Sequence, residues 1–354
     1  MAIRVIQWST GNVGIHALRL IARHPDLELV GLWVHSPDKV GVDAGTLAGI
    51  EPTGVLATND ADALLALDAD CVCYTATADL RPGEAIADLA RIAASGKNIV
   101  SSSVVPMIWP DHVPEGLRAP LERACEEAGV SCWTSGIDPG WANDLLPLVL
   151  SGSCEYVDSV RMMEIVNYAT YAQPTVLFDT MGFGGSLDET PMLLQPGVLT
   201  FAWGGVVKAV AAGLGVELEE IREVHERVPT PVDIDLGFGL VRAGTTGAMR
   251  FEVQGIVGGV PRVILEHVTR LDDDLAPDWP QPVGHSGYRV VVTGNPSYTC
   301  DVQMMGDDGD HNTGGLVGTA GRIVNAIPAV CEARPGLLSV LALPLVAARG
   351  LVRS

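Results

Sequence analysis

Two near-continuous apolar runs open the chain, IRVIQW at 3–8 and LELVGLWV at 27–34. Both are rich in β-branched and bulky residues, and neither alternates as a strand with one wetted face would. Further runs, DCVCYTA, NIVS and VSCW, follow at intervals that each leave room for a helix. Helical segments fill the gaps at 14–24, 60–67, 82–95 and 114–128. The last opens on Pro114 and Glu115 and stops at Gly129, which is start and stop chemistry for a helix. Buried strands separated by helices predict an α/β domain over residues 1–148, a Rossmann-type doubly wound parallel sheet covered on both faces.

The texture changes after about residue 150. YVDSVRMMEIVNYATY predicts a strand leading into a loop or helix, and a helix follows over 198–214. Met249, Phe251 and Val253 then alternate with Arg250, Glu252 and Gln254, and Gly258-Gly259 supplies a turn into VPRVILEHVTR. YRVVVTG and YTCDVQM add two more strands. The prediction is a second α+β domain, 149–304, with a mostly antiparallel sheet. The last apolar stripe, helical over 318–331, is expected to bring residues 305–354 back to the first domain.

Charge narrows the partners. Of 354 residues 43 are acidic and 22 basic, for a formal net charge of −21, which argues against nucleic acid or an anionic membrane as partner. Lysine is confined to Lys39, Lys97 and Lys208. The seven cysteines are scattered without zinc-ligand spacing, so neither a metal nor a structural disulfide is expected. No basic-then-apolar leader opens the sequence, and the expected location is the reducing cytoplasm.

The turn after the first strand reads WSTGNVG. A dinucleotide fingerprint wants glycine where Ser9 stands, then has its other two glycines in Gly11 and Gly14. Gly11 would admit a pyrophosphate to the backbone at the helix N-terminus, and Gly14 would let the helix pack on the strand. Ser9 suits the turn if its φ stays negative. A strand–turn–helix that binds nothing is the plain alternative. The second strand ends WVHSPDK, with His35 and Ser36 where an acid would bind a ribose 2′-hydroxyl, and Lys39 close behind. Ser, His and Lys accept a 2′-phosphate where an acid repels it, so NADP(H) is expected over NAD(H). Thr75, Ala76 and Thr77 after the CVCY strand, and Ser101 and Ser103 after NIV, stand at the carboxyl ends where such sheets bind ligand.

With these stretches in view, the chain resembles the family that joins a dihydrodipicolinate-reductase-like N-terminal domain to the 2,4-diaminopentanoate dehydrogenases and native amine dehydrogenases. WSTGNVG, HSPDKVGVDAGTLAGI, SGIDPGWANDLLP, VNYATY and GLVGTAGRIVNAIPAV carry the resemblance over nearly the whole chain. It implies an NAD(P)H-dependent homodimer with a small-molecule substrate in a cleft between two domains. It implies that Gly11, Asn12, Val13 and Gly14 cradle the pyrophosphate, in a turn where Ser9 and Thr10 are further cofactor-binding candidates, and that Asn167, Tyr168 and Tyr171 line the substrate cleft. The paired histidines and KxDAPSGTA-like segment of the true dihydrodipicolinate reductases are missing. Where the amine dehydrogenases carry a glutamate after the fifth strand, this chain reads SSSVVPMIWP, and Val104 and Val105 carry no proton.

The proton must then come from elsewhere. Tyr168, Glu164 and His267 are the catalytic candidates, with Tyr171 and Asp138 beside them. Each has a plainer alternative: packing for the tyrosines, a core histidine for His267, an ion pair with Arg161 for Glu164, a local turn bond for Asp138. Trp141, with Trp109, suits an apolar substrate, and Ser103, Trp141, Asn167 and Tyr171 are the substrate-binding candidates. The expected activity is NADPH-dependent reduction of a C=N or C=O bond, or the reverse oxidation. A non-catalytic NADP(H)-binding sensor or scaffold and a C=C reductase are the alternatives.

Overall fold

The computed structural model describes residues 2–78 and 81–353. The chain divides into two compact units, 1–137 with 316–354, and 138–315.

In the first unit, strands β1 (Ile3–Trp8), β2 (Leu27–Trp33), β3 (Ala57–Thr58), β4 (Cys71–Tyr74), β5 (Asn98–Ser101) and β6 (Ser131–Thr134) form a wholly parallel sheet. The order is β6-β5-β4-β1-β2-β3, with a seventh strand, Gly336–Leu338, outside β6. Alternation along each strand sends its side chains to two separate cores. Ile6, Trp8, Val72, Tyr74 and Ile99 pack with helices α2 (Pro82–Ala94) and α3 (Glu115–Ala128) through Ile86, Leu89 and Leu121. Val5, Cys71, Cys73, Val100 and Trp133 pack with α1 (Asn12–Ile21) and with Ile323, Val324 and Ile327 of the C-terminal helix His311–Cys331. Helices on both faces of a parallel sheet are the doubly wound arrangement, and they leave the carboxyl ends of the strands for ligands.

The second unit holds a six-stranded mixed sheet. Its strands are β7 (Tyr156–Asn167), β8 (Glu220–Pro229), β9 (Thr246–Val257), β10 (Val260–Arg270), β11 (Gly287–Asn295) and β12 (Tyr298–Val302), in the order β12-β11-β7-β10-β9-β8. The pairs are antiparallel except β7 with β10, which run parallel. That single parallel pair sets His267 beside Glu164 and Arg270 beside Asn167. A helix, α4 (Val198–Gly213), packs Val206, Val207 and Val210 against one face of the sheet. Among the described residues no helix is long and apolar enough to cross a membrane.

Candidate active site

Two constellations carry chemistry, one in each unit. In the first, β1 runs through Ser9 and Thr10 into α1. Ser9 takes φ +85°. The sequence reading allowed serine here only with negative φ, so that reading is corrected: the turn needs a left-handed residue at this point, and serine bears a strain of roughly 1–2 kcal/mol. The strain is held by Gln7, whose buried amide donates to the Ser9 carbonyl at 2.8 Å and to Thr75 Oγ1 at 2.9 Å. Gly14 is enforced by contact. A Cβ there would stand 2.4 Å from the Ser9 carbonyl oxygen and 2.8 Å from Thr75 Oγ1.

The N-terminus of α1 is built for an anion. Gly11 caps it without a side-chain hydrogen bond, no acid occupies its first turn, and Gly11 and Asn12 are exposed. Its first N–H groups and its dipole therefore face outward, as a pyrophosphate requires. Val13 packs inward against the sheet. Thr10 is buried, and its Oγ1 accepts from Lys39 Nζ at 3.0 Å. That bond brings one of the chain's three ammonium groups to the turn. Ser36 starts a short 3-10 turn, Pro37–Lys39, and His35 beside it is exposed. These residues fit a dinucleotide. Gly14→Ala is expected to bind dinucleotide about tenfold more weakly or worse, because overpacking of this kind costs about 1–3 kcal/mol. A fluorescence titration checks it, and wild-type affinity would detach the turn from the cofactor.

At the later strand ends the hydroxyls bond within the protein. Thr75 Oγ1 donates to the Trp8 carbonyl at 3.0 Å and accepts from Gln7, so its hydroxyl braces the turn rather than meeting a ligand. Ser101 is fully buried and exchanges bonds with Ser103 N–H and C=O. Ser103 Oγ is spent on the Ala76 carbonyl, which leaves no free hydroxyl for a substrate. Ala76 is buried and Thr77 exposed. At the end of β6, which the sequence reading did not single out, the buried hydroxyls of Thr134 and Ser135 have no hydrogen-bond partner among the described residues. Small polar residues after a strand were the available signal.

In the second unit a chain of hydrogen bonds runs through the core. Tyr168 Oη donates to Glu164 Oε2 at 3.2 Å. His267 Nδ1 lies 3.2 Å from the same oxygen, and His267 Nε2 lies 3.2 Å from Asp138 Oδ1. Trp203 Nε1 donates to that aspartate oxygen at 3.2 Å. The imidazole is stacked on Phe251 at 4.7 Å, with Trp203 edge-on at 4.8 Å. Glu164, Asp138 and His267 expose 7, 3 and 6 % of their side chains. Burial alone would strip the proton from His267, but the Asp138 and Glu164 carboxylates outweigh it and hold the imidazolium up to about 10. Burial, with the Glu164 charge, pushes the Tyr168 phenol well above its ordinary range. Tyr288 also hydrogen-bonds Glu164 and is raised for the same reasons.

Tyr168, Glu164 and His267 are thus brought together, with Asp138 as a fourth member. Tyr171 stacks on Tyr168 at 4.7 Å. Trp141 is half-buried in the turn that carries Asp138. Asn167 is not part of the group: an odd step from Glu164, it faces the opposite side of the sheet and donates to Asp273 at 2.7 Å. The same parity separates Glu164 from Arg161, which pairs with Glu252 and Glu266 instead. An oxygen of each acid and a nitrogen of His267 lie within 4.8 Å of one another, a spacing a cation could use. Each imidazole nitrogen is spent on a different carboxylate, so an imidazolium already supplies the charge a metal would bring.

Residues 141–352 match the family of the 2,4-diaminopentanoate dehydrogenase C-terminal domain. An amine dehydrogenase of Streptomyces virginiae is 43 % identical over 347 residues, 97 % of this chain and 96 % of that protein. A 2,4-diaminopentanoate dehydrogenase of Acetoanaerobium sticklandii is 28 % identical over 250 residues, 70 % of this chain and 66 % of that one. The solved structure of an amine dehydrogenase from Mycobacterium smegmatis shares the fold, with a TM-score of 0.77 at 22 % identity, over 98 % of this chain and 97 % of that one.

Proposed function

The chain belongs to the 2,4-diaminopentanoate dehydrogenase and amine dehydrogenase family and is an NAD(P)-dependent oxidoreductase, and from that premise we propose that it interconverts a small amine and its carbonyl compound through a C=N bond, with NADP(H) preferred over NAD(H). The observation that carries the reading is the buried chain Tyr168–Glu164–His267–Asp138. Reductive amination needs a group that takes a proton from nitrogen and delivers protons to the departing oxygen, so that carbonyl, ammonia, a hydride and one proton yield amine and water. Val104 and Val105 cannot do this. Glu164 has the chemistry, and Tyr168 is the hydroxyl that reaches it.

The cofactor, when bound, supplies the hydride. Gly11 to Gly14 would hold its pyrophosphate, and Lys39 with Ser36 and His35 would meet a 2′-phosphate. In the second unit His267 stays charged between the two acids. Asp138 fixes the ring from its other side. Tyr168 and the stacked Tyr171 present an aromatic surface toward an organic substrate. The family's homodimer is the expected assembly.

Lys39→Ala tests the cofactor preference. A lost charge-assisted bond to phosphate weakens NADPH binding by about 10- to 100-fold. Affinity for NADH, which lacks that phosphate, is expected to move far less. Equal losses by fluorescence titration would place Lys39 elsewhere.

A further inference from the structure

Two phenols converge on Glu164. Tyr288 lies directly opposite it in the antiparallel pairing of β7 with β11, and bonds its side chain. Tyr168 stands just past the end of β7 and reaches back to the carboxylate four residues earlier. The sheet fixes Tyr288, but Tyr168 has left it. Its N–H donates to the Arg270 carbonyl at 2.8 Å, and residues 168–173 form neither helix nor strand. A side chain on such a segment is oriented only as well as the segment is tied down.

The ties come from the start of the C-terminal helix. Asn312 Nδ2 donates to the Asn167 carbonyl at 3.2 Å and to Thr170 Oγ1 at 2.7 Å. Thr170 Oγ1 donates in turn to Asp310 Oδ2 at 2.7 Å. The other oxygen of Asp310 caps the helix, accepting from Thr313 N–H at 2.8 Å. The Thr170 hydroxyl thus spends its one proton on a carboxylate, the stronger kind of acceptor, and a lone pair on an amide. These bonds bracket Tyr168, one on the residue before it and two on the second residue after it. Between Asp310 and Asn312, His311 is 9 % exposed. Its Nδ1 donates to the Met304 carbonyl at 3.0 Å, and its ring packs on Tyr288 with centroids 5.4 Å apart. Three consecutive residues therefore touch both segments that bring a phenol to Glu164.

We propose that Asp310, His311 and Asn312 are the positioning element of the chain Tyr168–Glu164–His267–Asp138: Asp310 and Asn312 clamp the segment of Tyr168 through Thr170, and His311 backs Tyr288. The inference rests on the reading of Glu164 as the group that exchanges protons with nitrogen. The three residues act through the tyrosines, and a displacement of about 1 Å at such a group costs up to about 10²-fold in rate.

Thr170→Val removes the hydroxyl at nearly constant shape on an exposed residue, and Thr170→Ser keeps it. The chain has six tyrosines, so the full-length protein labelled with 3-fluorotyrosine gives a short fluorine NMR spectrum, in which Tyr168→Phe assigns the Tyr168 line. That line is expected to shift in Thr170→Val and to stay at its wild-type position in Thr170→Ser. With NADPH, ammonium and a panel of small ketones, kcat of Thr170→Val is expected to fall about tenfold while the affinity for NADPH holds, and Thr170→Ser to restore it. An unmoved Tyr168 line in Thr170→Val overturns the proposal. So does a wild-type kcat in that variant, or an equal effect of Thr170→Ser. A wild type that forms no amine from any ketone of the panel overturns the proposed reaction instead, and the fluorine line then decides the clamp by itself.

Discussion

Replacing Glu164 by Gln is expected to lower kcat by about 10²- to 10⁴-fold while leaving the affinity for NADPH close to wild type. Glutamine keeps the shape and can still accept from Tyr168, but it cannot take a proton. Glu164 Oε2 is the point where Tyr168 Oη and His267 Nδ1 converge, each at 3.2 Å. One substitution therefore removes the proton acceptor and half of the charge that holds His267 protonated. The dinucleotide turn lies in the other unit and keeps its contacts, so the loss falls on kcat rather than on cofactor binding. Steady-state kinetics with a separate NADPH titration checks this. An undiminished kcat would remove Glu164 from the chemistry.

The second large effect concerns stability against pH. His267 is raised from 6.5 to about 10 in the folded protein. A raised folded value means the proton is bound more tightly in the native state. Its stabilising contribution is complete below the ordinary 6.5 and is lost as pH climbs through about 10. Urea unfolding midpoints are expected to fall steadily across that window in the wild type. His267→Gln removes the imidazolium and leaves Asp138 and Glu164 facing a neutral amide. Breaking a buried charge pair this way costs about 3–5 kcal/mol. The variant is expected to be much less stable at pH 6 and to show a flatter profile up to pH 10. Parallel profiles for the two proteins would mean that His267 is neutral in the fold.

Much of the architecture was legible because the parallel sheet writes itself as apolar runs. IRVIQW and CVCY are apolar runs without a wetted face, which a sheet covered on both sides requires. Gly11 and Gly14 were legible for a similar reason, since a residue without Cβ marks a close approach. Ser9 was misread because a positive φ in a non-glycine residue leaves no compositional trace. It depends on Gln7, which the sequence shows only as a polar residue inside a strand. The candidate site was half legible. Glu164 and Tyr168 share one stretch, but His267 joins them through the parallel pairing of β7 and β10, more than a hundred residues apart in sequence. Trp203 could not be read at all, since an indole on an apolar helix looks like core until its N–H finds Asp138. Asn167 sits on the other sheet face from Glu164 and bonds Asp273, since strand alternation separates residues that a motif keeps together.

The most direct test of the central claim is product analysis by mass after incubating the protein with NADPH, a small ketone and ammonium. The account predicts NADPH oxidation that requires ammonium and yields the amine. NADPH oxidation without ammonium, yielding the alcohol, would contradict it and make Tyr168 and Glu164 the acid of a carbonyl reductase.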